Sequence, residues 1–343
     1  MRHAILDPKQ EAIVLAGADT EDLDRLRQDA QAAVGDLPAA FELARALGDR
    51  LPLPGEGRTA YLWSALATLG SVDLTVARAI EPHLDAIAIT QQARAAQLLD
   101  EDLPSGTYGV FAAEGPGVRL EFEDGRLSGT KPWCSLASVL DAALVTAWQG
   151  DERRLYAVSL RADGVRAESG GWASRGLVEV PSLAVHFDGV PAVPVGPAGW
   201  YLDRPGFAWG GIGVAAIWFG AAVAVGRRLV PRAGGRKPDQ IALMHAGEAE
   251  LELACAASVL SETARVVDDG DSTADDARRL ALTARGAVAR AVESVLTRTG
   301  RGTGPAPLTA DEEHARRVAD LTVYVRQDHA ERDAAALGGL LAP

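Results

Sequence analysis

Cysteine is nearly absent from this 343-residue chain, which holds only Cys134 and Cys255. Two such residues give neither a disulfide framework nor a CxxC metal pair, so a reducing compartment and a cytoplasmic location are expected. Histidine is sparse as well. His3, His83, His186, His245 and His314 are scattered, with no His-x-x-x-His spacing, and no metal site is expected. Positive charge is in deficit: 34 Lys and Arg stand against 47 Asp and Glu, a net charge of −13. That argues against a nucleic-acid partner, which calls for a basic face. No GxGxxG follows a strand signal, which argues against a Rossmann-type nicotinamide site. The opening MRHAILDPKQ lacks a charged-then-apolar leader, so no targeting segment is expected.

What is present is a globular composition, 48% apolar and 24% charged, in a chain long enough for two or three domains. One run stands out. Residues 207–226, FAWGGIGVAAIWFGAAVAVG, carry no charge and are long enough to cross a bilayer. In an otherwise acidic chain the run reads instead as a helix buried all round, and no membrane partner is expected. Gly210, Gly211, Gly213, Ala216 and Gly220 would let another backbone approach it closely.

Hydrophobic period divides the chain into three parts. Residues 1–103 read as helices: 19–34, 38–47, 59–69, 72–80 and 84–99, with Pro82 as punctuation between the last two. Residues 104–205 switch to alternation at Val118, Leu120 and Phe122. They continue through 127, 142–148, 155–160, 178–180 and 183–187, a set of short strands without helices that indicates an antiparallel barrel or sandwich. Residues 206–343 return to helical period in four segments: 207–229, 239–268, 272–299 and 311–341. The links between them are 231–238 and 300–307, and a capping box is expected from Thr309 to Glu312. The fold class is therefore α+β: an N-terminal helical domain, a central antiparallel β module and a C-terminal four-helix bundle.

Within the β module, Leu127-Ser-Gly-Thr-Lys-Pro-Trp133-Cys-Ser135 joins an aromatic plate to small polar side chains, which suits a flat, polar-edged cofactor. The plainer reading is a core Trp with its N–H satisfied. The segment is similar to the Leu-x-Gly-x-Lys-x-Trp-x-Ser strand of the acyl-CoA dehydrogenase superfamily. The helix pair at 62–86, the stretch 185–194 and the junction from Asp203-Arg204 to Gly213 resemble further parts of that family. The chain departs from it in three places. Residues 108–117 lack its Thr-Glu-Pro and Gly-Ser-Asp signatures, its Arg-x-x-Phe-Gly element is missing, and its Gln-x-x-Gly-Gly motif reads here as Arg298-Thr-Gly-Arg-Gly302-Thr-Gly304.

The resemblance implies FAD as cofactor, with Trp133 and Ser135 on the flavin ring. It implies Arg298, Gly302 and Gly304 on the diphosphate, contributed by a neighbouring subunit of a homodimer or homotetramer. As residues alone, the glycines serve equally well as a linker between helices. The implied reaction is dehydrogenation across a Cα–Cβ bond of a small molecule, such as a CoA or carrier-protein thioester. Asp203 or Asp328 would take the proton and the flavin N5 the hydride. His329 resembles instead the His of flavin monooxygenases on the same fold, so oxygen-using catalysis is the alternative. A degenerate member serving as a binding or subunit partner is the third reading. Helical spacing places His329 on an apolar stripe with Val318, Leu321 and Val325, while Asp328 aligns with Asp320 and Tyr324.

Overall fold

The computed structural model describes residues 4–20, 22–230, 237, 239–270 and 272–341. The linker expected over 231–238 falls outside these, Lys237 apart.

Four helices open the chain: α1 (Leu23–Ala32), α2 (Leu37–Gly48), α3 (Thr59–Val72) and α4 (Leu74–Ala95). Asp36 caps α2 by accepting the Ala39 N–H at 3.0 Å, and a Pro fills its first turn. The carboxylate of Asp73 breaks α3 from α4 and caps the latter through the Thr75 and Val76 N–H groups. Pro82, expected to separate two helices, lies inside α4. Its missing hydrogen bond costs about 3 kcal/mol, and the burial of Leu74, Val76, Ile80 and Ile89 on the same helix offsets that.

Eight strands follow: β1 (Tyr108–Phe111), β2 (Leu120–Glu123), β3 (Arg126–Ser135), β4 (Ala142–Gln149), β5 (Glu152–Ser159), β6 (Val165–Ala167), β7 (Ser182–Pro191) and β8 (Val193–Val195). They form one sheet in the order β6-β7-β3-β2-β4-β5-β8, with β1 beside β4. All pairings are antiparallel except β1–β4 and the single Glu121–Trp148 contact of β2 with β4. Residues 178–180, expected as a strand, are a turn instead. The reason is a tether to another layer. The Leu177 N–H donates to the buried Asp320 carboxylate at 2.6 Å, and Trp172 Nε1 donates to the Leu177 carbonyl at 3.1 Å.

The C-terminal helices are α5 (Trp200–Asp203), α6 (Pro205–Gly226), α7 (Gln240–Asp269), α8 (Ala274–Thr303), α9 (Ala306–Ala310), α10 (Glu312–Tyr324) and α11 (Glu331–Gly339). The long apolar run is α6, a buried helix packed between α3 and α8. Its crossing with α3 is backbone on backbone. A methyl group on Gly220 would lie 1.8 Å from the Ala67 carbonyl oxygen, and one on Gly70 2.3 Å from that of Ile217. No side chain fits at either place.

The last segment departs from expectation. Instead of one helix over 311–341, α10 stops at Tyr324, a 3₁₀ turn covers Val325–Gln327, and α11 starts at Glu331. Local side-chain bonds compete with the helix there. Arg285 donates to the Gln327 carbonyl at 2.9 Å, Asp328 accepts the Ala330 N–H at 3.1 Å, and Asp333 accepts the His329 N–H at 3.2 Å. The stripe that placed His329 on an apolar helical face therefore ends before it. The cap of α10 also differs: Asp311, not Thr309, accepts the His314 N–H, and Thr309 lies within α9. A capping box is found instead at Thr273 and Asp276, opening α8.

Candidate functional site

A cleft of about 1250 Å³ lies where α4, the β3–β7 region, α6, α8 and the turn before α11 meet. It is larger than the roughly 300–1,000 Å³ typical of ligand pockets, so it has room for a cofactor and a substrate together.

Trp133 and Ser135 line this cleft from β3. Trp133 occupies a bulge between Lys131 and Cys134, with φ at 60° and the residue 63% exposed. A left-handed tryptophan costs on the order of 1–3 kcal/mol. Here the strain turns the largest side chain out of the sheet and into the cleft. Cys134 faces the other way and is buried, its thiol pushed up to about 12 by burial, so it is inert as a nucleophile. Lys131 lies under the sheet with its ammonium on Glu114 at 2.6 Å and Thr146 at 2.8 Å.

Ser135 sits in a hydrogen-bonded chain. Its Oγ lies 2.7 Å from Ser182 Oγ and accepts from Arg78 Nη2 at 3.2 Å, while Arg78 Nη1 reaches Glu81 at 2.7 Å. Arg78 also lies over the Tyr324 ring, 5.2 Å from its centroid. Glu81 is raised to about 7, mainly by burial and further by Asp85, against the opposing pull of Arg78. Burial likewise raises Asp85, opposed by Arg204. From the far wall, Arg285 donates to the Gly211 carbonyl at 2.7 Å and stacks on Trp218, 4.8 Å from the ring centroid.

His329 and Asp203 line the same cleft. His329 Nδ1 lies 3.3 Å from Asp333 Oδ1, so one carboxylate holds both its backbone and its ring. Asp203 is exposed at the end of α5. Asp328 does not line the cleft: it closes the turn into α11. Nor do Arg298, Gly302 and Gly304. Gly302 stands about 25 Å beyond Arg285 on α8, at about 1.5 Å per residue. It lies within the helix against Leu229 and His245, Arg298 pairs with Glu248, and Gly304 ends the helix.

Arg78, Glu81 and Asp85 of the cleft were not singled out in the sequence. Their signal was nevertheless there: with Pro82 they recur at i, i+3, i+4 and i+7, which puts three charged side chains on one face of the helix.

No protein-family model matches the chain, and no curated protein matches it. Among solved structures, its architecture is that of the acyl-CoA dehydrogenase-like fold. It is similar to a nitrososynthase from Micromonospora carbonacea var. africana, with 21% identity, TM-score 0.75, and 99% of this chain and 100% of that one covered. It is also similar to TdsC, a dibenzothiophene monooxygenase from Paenibacillus sp. A11-2 solved with FMN and indole, at 18% identity and TM-score 0.72 over 94% and 97%. A steroid acyl-CoA dehydrogenase variant aligns at 21% identity and TM-score 0.69 over 94% and 98%.

Proposed function

We propose that the protein is a flavin-dependent oxidoreductase that inserts oxygen into a small substrate. The observation that carries this is the convergence of Trp133, Ser135 and His329, from segments nearly two hundred residues apart, on one cleft. The residues fit a flavin. The exposed indole offers a plate for an isoalloxazine ring, and the Ser135–Ser182–Arg78 chain offers hydroxyl and guanidinium groups to its polar edge. When bound and reduced, the flavin supplies two electrons to oxygen, one oxygen atom entering the substrate and the other leaving as water.

The chain's own residues would then orient and shield. Asp333 fixes the His329 ring so that a proton is held or delivered at Nε2. Phe207, Ala208 and Val214 of α6 give the cleft an apolar wall. Since Arg298, Gly302 and Gly304 stand outside this cleft, FMN needs no residue beyond it. FAD would need those three from a second subunit of a homodimer or homotetramer.

Dehydrogenation of an acyl thioester is the second reading, favoured by the carboxylate of Asp203 in the same cleft. The cytoplasm, with its reduced cofactors, is the setting we propose for either reaction.

Titration of the purified protein with FMN and with FAD, followed by visible absorbance and flavin fluorescence, tests the proposal. Perturbed spectra that vanish in Trp133→Ala support it, and unperturbed spectra with both flavins sink both readings. Reduced flavin mixed with oxygen then separates the two: an oxygenated product favours the first, and flavin reduction by an acyl-CoA favours the second.

A further inference from the structure

The face of α4 that borders the cleft carries two carboxylates one turn apart, and they are not equivalent. Glu81 is answered by Arg78 at 2.7 Å. Asp85 makes no hydrogen bond and no ion pair among the described residues, although it is half-buried and borders the cleft. The space in front of it is kept open by a glycine: a Cβ on Gly210 of α6 would stand 2.9 Å from Asp85 Oδ1.

A second unanswered group sits beside it. Tyr201 is 5% exposed and borders the cleft, and its hydroxyl has no hydrogen-bond partner among the described residues. Burial raises that phenol, and the charge of Asp85 raises it further. Both groups therefore await a partner at the same end of the cleft.

Two of the cations that border the cleft are already engaged. Arg204 donates to Gln92 and lies over the Trp200 and Tyr201 rings, 5.7 and 5.3 Å from their centroids. Arg285 is taken by the carbonyls of Gly211 and Gln327. A half-buried carboxylate with no donor from its own chain is left for solvent or a ligand to answer. What this end of the cleft lacks is a ligand that brings N–H donors and positive charge, and the wall around it, with Phe207, Ala208 and Val214, suits an apolar body.

We propose that Asp85, assisted by Glu81 and Tyr201, is the recognition site for a basic nitrogen, so that the substrate is an amine carried on an apolar ring or chain. This deepens the reading of the cleft as the active site and rests on it. The ammonium would donate to Asp85, and the Tyr201 hydroxyl would complete the contact.

The test compares benzylamine with benzyl alcohol by calorimetry at pH 7.5, with the protein alone and after mixing with FMN. Benzylamine is expected to bind more tightly by tenfold or more, on the order of one charge-assisted hydrogen bond. Asp85→Asn should erase that preference and leave benzyl alcohol unaffected, since it removes an unpaired charge and keeps the volume. Tyr201→Phe should weaken benzylamine alone. Equal binding of the two probes to the unsubstituted protein overturns the proposal, as does a preference that survives in Asp85→Asn. Flavin binding is read separately from the absorbance of the same samples. An amine preference without flavin binding would support this site while removing the flavin reading. Flavin binding without an amine preference would remove this site alone.

Discussion

Arg78 Nη2 donates to Ser135 Oγ at 3.2 Å, so a buried guanidinium on α4 holds the cleft-facing hydroxyl of β3. The same guanidinium answers Glu81, which links the helical layer, the sheet and a titrating carboxylate in one chain of bonds. Its charge is also faced by Tyr324 of α10. The groups around Glu81 are Arg78 and Asp85 on α4, Arg285 on α8, Tyr324 on α10 and Tyr201 on α5.

That arrangement sets a pH dependence of stability. Glu81 is raised from 4.5 to about 7, so between those values the folded protein holds a proton that the unfolded chain has released. The stability tied to neutral Glu81 is complete below the lower value and is lost as pH rises through the upper one. The loss amounts to about 3 kcal/mol at most. Urea midpoints from pH 4 to 8 should fall along this window in the unsubstituted protein. In Glu81→Gln the fall should be shallower, whatever the offset from losing the Arg78 pair. Parallel curves for the two proteins would contradict it.

The α3–α6 crossing predicts opposite signs for one substitution at two glycines. Gly220→Ala drives a methyl into the Ala67 carbonyl and must push two buried helices apart, a loss of about 3 kcal/mol or more. Gly286, in the middle of α8, has nothing within 4 Å of where its Cβ would be. Alanine there should add about 0.5–1 kcal/mol through helix propensity. Chemical denaturation of both variants checks the pair, and a Gly220→Ala protein as stable as the parent would disprove the close crossing.

His329 and Asp333 predict a division between binding and turnover. Neither is on the sheet that carries Trp133, so His329→Ala should leave flavin affinity within about twofold and cut oxygenation about a hundredfold. Asp333→Asn keeps the shape but not the charge that orients the ring, and should cost about tenfold. Stopped-flow reoxidation together with product yield separates the steps. Normal product yield in His329→Ala would remove the His from the reaction.

The three-part helix, strand and helix order was legible because period and punctuation are local properties. So was the burial of α6, since twenty uncharged residues admit few other solutions. Trp133, Ser135 and His329 were legible as types of residue, but what places them together is tertiary. The bulge that turns Trp133 outward depends on the register of β3 against β7. The turn that frees His329 depends on Arg285, more than forty residues earlier in the chain. Pro82 misled for a similar reason: its local cost is real, but burial around α4 outweighs it. Asp85 was hidden because its character comes from what fails to face it, a property of the folded chain and not of residue spacing.

Trp133 offers the most direct test of strain kept for function. At φ 60° every residue except glycine is strained, and the indole is exposed, so its removal forfeits little packing. Trp133→Gly should therefore raise stability by about 1 kcal/mol, the reverse of the usual effect of glycine in a strand. The same variant loses the stacking plate, and flavin affinity should drop at least about tenfold. Trp133→Phe keeps the strain and part of the plate, so its stability should match the parent while flavin affinity falls less. Thermal melts without flavin, paired with fluorescence titrations, read the two effects separately. A glycine variant that is less stable than the parent and binds flavin normally would show that the indole supports the fold and not the cleft.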